Sequence, residues 1–298
     1  MGVLALRNLR NIVSVTLMGG IGVLGGLPPA SAAPVNEGAQ VLRPLDQEAR
    51  QALLAIFQEK DPHAVDRWFG DTFVQHDPAI ADGIAGMKAY AREIAESPAA
   101  SITIYRVLVD HDLVLVHSRY AGLKTQPTPL IAFDLFRFES GKIVEHWGGQ
   151  EPETPPNPSG RTQVDGPTQV VDVDKTEVNR ALVQRFKEVV TVQLRFDRVQ
   201  EFLDTHYAQH ASHVGDGISQ LNARVASVTQ GRAAATLKPR RYVADGNFVL
   251  ALVEGNTPMG HTADYDLFRV QDGKITEHWD VISKIPPPQQ RRNSNDPF

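Results

Sequence analysis

The residues of this chain that could move protons are a late aspartate and a scatter of histidines. Asp280 ends the run "KITEHWD", and His278, two residues earlier, points to the same face of a strand, while Glu277 and Trp279 point to the other. A carboxylate walled in by apolar groups loses hydration, so its pKa rises and it becomes a better base near neutral pH. Imidazole polarises a carbonyl or relays a proton in the same range, which makes His278, His210, His76 and His117 its candidate helpers. His117 interrupts the apolar run "LVLVHS" where valine would be ordinary. Plainer readings stand beside these: Asp280 at a strand rim facing water, and histidines tied to neighbouring loops.

Other chemistries find no residues to carry them. The 298 residues include no cysteine, which removes thiol catalysis, disulfides and thiolate metal sites. Neither a phosphate-binding glycine loop, nor a serine nucleophile elbow, nor a dinucleotide fingerprint occurs. His206, His210 and His213 would share one face of a helix and invite zinc, but the glutamate of the H-E-x-x-H pattern is missing and no metal or other cofactor is expected. Asp134 and Asp266 read as ion pairs with Arg137 and Arg269 on an outer sheet face. The formal charge of −5 and the lack of a basic run argue against nucleic acid as a partner.

Elements that would position these groups occur twice. "FDLFRFESGKIVEHW" from Phe133 and "YDLFRVQDGKITEHW" from Tyr265 agree at ten of fifteen positions, 132 residues apart. His76 falls on His210, and Asp82-Gly83 on Asp216-Gly217, at an offset of 134. The expected organisation is a signal segment at 1–32, a first domain at 41–150, a proline-rich linker at 151–173, a second domain at 174–285 and a loosely packed tail at 286–298. The signal reading rests on Arg7 and Arg10, an apolar run from Ile12 to Leu27, and Ala30-Ser31-Ala32 as a cleavage pattern. It predicts export to a periplasm or the medium, with no membrane attachment after cleavage. In the first copy, helical spacing covers Asp46 to Gln58, a second helix starts at Asp61-Pro62 and carries Val65, Trp68 and Phe69 inward, and a third runs from Ile84 to Ala95. Strands follow at Ile102–Val109, Leu113–Tyr120, Leu130–Phe138 and Lys142–Gly148.

The order helix–helix–"QHDP…DG"–helix–"VHSRY"–"DLFR"–"GKIVEHW" resembles the SnoaL-like polyketide cyclases, of the nuclear-transport-factor-2-like fold, across residues 43 to 285. The resemblance implies an α+β fold: two tandem cones, each a curved antiparallel sheet covered by about three helices. It implies a blind apolar pocket in each, cofactor-free acid–base chemistry on a small carbonyl compound, and Asp280 as the base that forms an enolate. It also turns His76 and His210 toward the pocket, and makes His146, Trp147, Trp279, Trp68, Phe202 and Tyr207 the expected ligand contacts. Binding of a hydrophobic small molecule without turnover is the alternative, because Gly148 stands where Asp280 is expected and Ala211 stands opposite Asp77. The two sheets are expected to pack through their outer faces as a pseudo-dimer, and the whole chain could assemble further.

Overall fold

The structure, a computed structural model, describes residues 44–229, 236–257 and 260–298. The expected signal segment lies outside them. In the first half, α1 (Pro44–Phe57) buries Ala49, Ala52, Leu53, Ile56 and Phe57 along one stripe, as its spacing requires. A five-residue helix, α2 (Ala64–Trp68), leads directly into β1 (Phe69–Gln75). The expected second helix therefore stops one residue before Phe69, which opens a strand instead. Phe69, Phe73 and Gln75 are its buried positions, at the two-residue period of a sheet. After α3 (Gly83–Ala95) come β2 (Ser101–Asp110), β3 (Leu113–Ala121), β4 (Leu130–Glu139) and β5 (Lys142–Pro152).

These strands form one sheet in the order β1-β5-β4-β3-β2. The sheet is mixed rather than antiparallel throughout, because β1 runs parallel to β5, with Gln75 opposite His146. A parallel pair needs a long crossover, and everything from α3 to β4 supplies it.

The second half repeats the plan. It contains α4 (Thr176–Phe186), a wide π-type turn at Lys187–Val192, a 3-10 turn at Phe196–Glu201, β6 (Leu203–Gln209), α5 (Ile218–Thr229), β7 (Thr236–Asp245), β8 (Phe248–Thr257), β9 (Gly260–Gln271) and β10 (Lys274–Lys284). Its strand order, β6-β10-β9-β8-β7, matches the first, and β6 again runs parallel to β10.

Each sheet is apolar on both faces. The inner faces pack on the helices, with Phe57, Phe73 and Phe136 in the first half and Phe186, Phe202 and Phe268 in the second. The outer faces pack on each other: Leu115, Phe133, Leu135 and Trp147 share one core with Leu250, Tyr265, Leu267 and Trp279. The joint is reciprocal. Arg106 lies 4.2 Å over the Trp279 ring, and Arg241 lies 4.2 Å over that of Trp147. The two halves are thus a pseudo-dimer within one chain.

Neither connecting segment is loose. Arg106 donates to the linker carbonyls of Val164, Asp165 and Pro167 at 2.6–3.1 Å. The tail, expected to pack loosely, is docked as well, with Phe298 buried and Asn293 bonded to the first half. Polar residues that read as solvated in sequence are here the donors that satisfy buried loop carbonyls.

Candidate functional site

Alternation along the strands sorts the candidate residues onto two faces. On the inner face of the first sheet, His146 lies with Nδ1 2.9 Å from Gln75 Oε1 and Nε2 3.0 Å from Asp134 Oδ1. Gln75 Oε1 also accepts from the Asp77 backbone N–H, which fixes the orientation of that amide. Tyr120 donates its hydroxyl to the other oxygen of Asp134 at 2.5 Å. The second half reproduces this relay. His278 lies 3.0 Å from Gln209 Oε1 and 2.9 Å from Asp266 Oδ1. Lys187, delivered by the π-type turn after α4, takes the place of the tyrosine and donates to Asp266 at 2.6 Å. Burial alone would raise the Asp266 pKa, but Lys187 and His278 hold it well below the usual carboxylate range. Burial lowers the pKa of His278, and Asp266 opposes that shift.

Beside each relay stands one further acid, and the two halves supply it from different elements. In the second half it is Asp280 on β10, directly opposite Asp266 on β9. One ligand atom from each of Asp280, Asp266 and His278 lies within 4.8 Å of the others. Burial, then the charges of Glu151, Asp266 and Asp264, push the Asp280 carboxyl well above its usual range. In the first half Gly148 occupies that strand position, and the space is filled by Asp77 from the loop after β1. A β-carbon added at Gly148 would sit 2.8 Å from Asp77 Oδ2 and 3.1 Å from the His146 ring. Burial pushes Asp77 upward too, against the hydrogen bond it accepts from the Ala79 backbone. Both acids are half-buried, each keeping some accessible surface.

Asp77 borders a hollow in the first half. A cavity of about 100 Å³ is lined by apolar groups including Leu53, Phe57, Ile80 and Met87, and by Asp77, Tyr90, Asp134 and His146. Burial raises the pKa of Tyr90, so the ring presents a neutral phenol. Two half-buried acids with a buried histidine resemble a metal site, and Asp266, His278 and Asp280 are close enough to hold an ion. The ammonium of Lys187 already supplies the positive charge at Asp266.

The remaining predicted residues lie on the other face or in the core. His76 and His210 turn away from the cones. Each stacks on a tryptophan at 4.4 Å, His76 on Trp147 and His210 on Trp279. Each also bonds a glutamate of the outer face: Glu145 at 2.9 Å and Glu277 at 3.1 Å. In the parallel pair Gln75 faces inward, so its neighbour His76 must face outward. Trp147 and Trp279 belong to the core between the sheets, and His117 lies there too, stacked on Phe133 at 4.3 Å beside Arg106. Burial and the Arg106 charge lower the His117 pKa well below its usual value. Phe202 and Tyr207 are buried in the inner core of the second half, and Trp68 packs at the margin of the first.

Asp134 and Asp266 do not pair with Arg137 and Arg269, because residues three apart on a strand face opposite ways. The arginines bond Glu145 and Glu277 instead. His206 and His213 are exposed while His210 is buried, since β6 is a strand and the helical spacing does not apply. Gln75, Gln209 and Lys187 are inner-side residues that the chemical reading passes over, while it takes Asp134 and Asp266 as ion pairs on the outer face and Asp77 only as the acid missing at Ala211. Period two alone would have found the two aspartates, which pair across the sheet with Gly148 and Asp280.

Fold and inner-face relay define a class: a pair of α+β cones, each with a polar cluster on the inner face of its sheet. Residues 51–146 match the SnoaL-like domain family. The first half is therefore a SnoaL-like domain, and the second repeats its strand order. Among solved structures, the chain is similar to TsrD from Streptomyces laurentii, at 24% identity over 37% of this chain and 91% of that one, with a TM-score of 0.33. It is similar to a protein assigned as a ketosteroid isomerase from Kribbella flavida, at 18% identity over 38% and 85%, with a TM-score of 0.33. A protein assigned as a SnoaL-like polyketide cyclase from Jannaschia matches at 19% identity over 38% and 92%, with a TM-score of 0.31. No curated protein matches the chain.

Proposed function

We propose that this chain is an exported, cofactor-independent enzyme that moves protons on a compact carbonyl compound, in the manner of an isomerase or aldol cyclase. The observation that carries the reading is a half-buried carboxyl beside each Gln–His–Asp relay, Asp77 lining the first-half cavity and Asp280 next to His278 and Asp266 in the second half. Ionised, such a carboxylate removes a proton from the carbon next to a carbonyl. The C–H electron pair moves onto the carbonyl oxygen as an enolate, and a neutral phenol such as Tyr90 donates a hydrogen bond to it. Return of the proton at another carbon isomerises the substrate, while attack of the enolate on a second carbonyl closes a ring. Because both carboxyls have raised pKa values, the rate should climb with pH as they ionise.

The test is proton exchange in D2O at the α-carbons of a panel of small cyclic ketones, followed by NMR. Replacing both acids, Asp77→Asn with Asp280→Asn, should slow exchange by roughly 10²- to 10⁴-fold. An unchanged rate in the double variant would remove these residues from the chemistry.

Binding without turnover is favoured by one observation, the small size and mostly apolar wall of the first-half cavity. Roughly 300–1,000 Å³ is usual for drug-sized ligands, so the guest would be compact. Native mass spectrometry that found a retained small molecule, with no exchange of any ketone, would favour this reading.

A further inference from the structure

The loop that carries Asp77 is held by the far end of the chain. Between β1 and α3 the backbone turns at Asp77–Ile80, leaving carbonyls that no strand or helix satisfies. Asn293 donates its side-chain amide to two of them, Asp77 O at 2.7 Å and Ile80 O at 2.8 Å. Asn295 donates to Gln75 O at 2.9 Å, and the Arg292 backbone N–H to Pro78 O at 2.8 Å. His76 Nδ1 meets Asp296 O at 2.6 Å. The Arg292 side chain itself lines the cavity, close to Glu93.

The second half has the same device, built from the linker. Asn157 donates to Gln209 O at 2.6 Å, Ala211 O at 3.4 Å and Val214 O at 2.9 Å. Those three carbonyls occupy the repeat positions of Gln75, Asp77 and Ile80. One asparagine therefore does in the second half what Asn293 and Asn295 do in the first. The linker also reaches His210 Nδ1, through the Thr162 carbonyl at 3.1 Å and the Asp165 carboxylate at 2.6 Å, where the tail reaches His76 through the Asp296 carbonyl.

We propose that the two segments are exchanged arms: the extension after each cone crosses to the other cone and sets the position of its Gln–His–Asp/Ala loop. Asn293 is then a positioning residue for Asp77, and the first-half site is incomplete without the last residues of the second half. This rests on the reading of Asp77 as the proton-transfer group. The observables below report its placement whether or not the chain turns over a substrate.

The experiment compares the full chain with Asn293→Ala and Asn157→Ala, by amide hydrogen exchange and by carbon-detected NMR titration of the Asp77 carboxyl. Asn293→Ala should speed exchange at 75–82 by about tenfold or more, with exchange at 209–216 unchanged. It should also bring the Asp77 pKa back toward the usual carboxylate value as the loop admits water. Asn157→Ala should do the reverse, loosening 209–216 and leaving Asp77 in place. Asn293→Gln, which keeps the amide, should recover part of the effect. Overturning results are an unchanged Asp77 titration with unchanged exchange at 75–82, or exchange that rises uniformly over both halves.

Discussion

Asp77 and Asp280 put a carboxyl beside the same relay in two cones from different elements, a loop and a strand. The two arrangements compete for space, because a β-carbon at residue 148 would come within 2.8 Å of the Asp77 carboxylate. Two acids in that space would also push one pKa far upward. Gly148→Asp alone should therefore destabilise the first half by roughly 1–3 kcal/mol. The pair Gly148→Asp with Asp77→Ala, which copies the Asp280/Ala211 arrangement, should recover most of that loss. Urea denaturation of the two single variants and the double supplies the cycle, and additive losses would show that the two positions do not share the space. The partners of the relay acids differ as well, Tyr120 for Asp134 and Lys187 for Asp266. The halves thus differ in the group that partners each relay aspartate.

At the scale of elements, β5 shows how two neighbouring glycines serve two faces. Gly148 looks inward and makes room for Asp77. Gly149 looks outward, where a β-carbon would come within 2.3 Å of the Tyr265 ring. Tyr265 in turn stacks in parallel with Phe133 across the joint, with ring centroids 6.2 Å apart. Gly149→Leu should therefore lower the thermal midpoint by several degrees while leaving the inner relay intact, since the clash lies on the other side of the strand. Circular dichroism melts, with the NMR signals of His146 as the inner-face control, check this. A stability equal to wild type would mean that the sheets can slide apart at no cost.

For the whole molecule, the shared core makes the halves thermodynamically dependent. A cone taken alone would expose Leu250, Leu252, Tyr265, Leu267 and Val281 on one flat face, a contiguous apolar patch of the kind that drives association. Joining the copies in one chain keeps that face covered at any protein concentration. Phe133→Ala, which empties the middle of the joint, should cost about 3–5 kcal/mol. Both halves should still unfold in a single transition, read by tryptophan fluorescence and by far-ultraviolet circular dichroism. Separate transitions, with only the first half weakened, would show that the core is not shared energetically.

Much of this is local and was legible without coordinates. The duplication is written in "DLFR" and "GKI" with "EHW", the strands in their apolar alternation, and the common face of His278 and Asp280 in a spacing of two. Period two sorts neighbours onto opposite faces, but it does not say which face is the cone and which is the joint, because both are apolar in this chain. That choice sent His76, His210, His117 and the two tryptophans to the joint, and Gln75, Asp134 and Asp266 to the cone. The replacement of a strand acid by Asp77 depends on two segments about seventy residues apart meeting at one point. The docking of the tail depends on an asparagine finding loop carbonyls more than two hundred residues away. Contacts over such distances are set by how the sheets curve and close, which only the assembled fold decides.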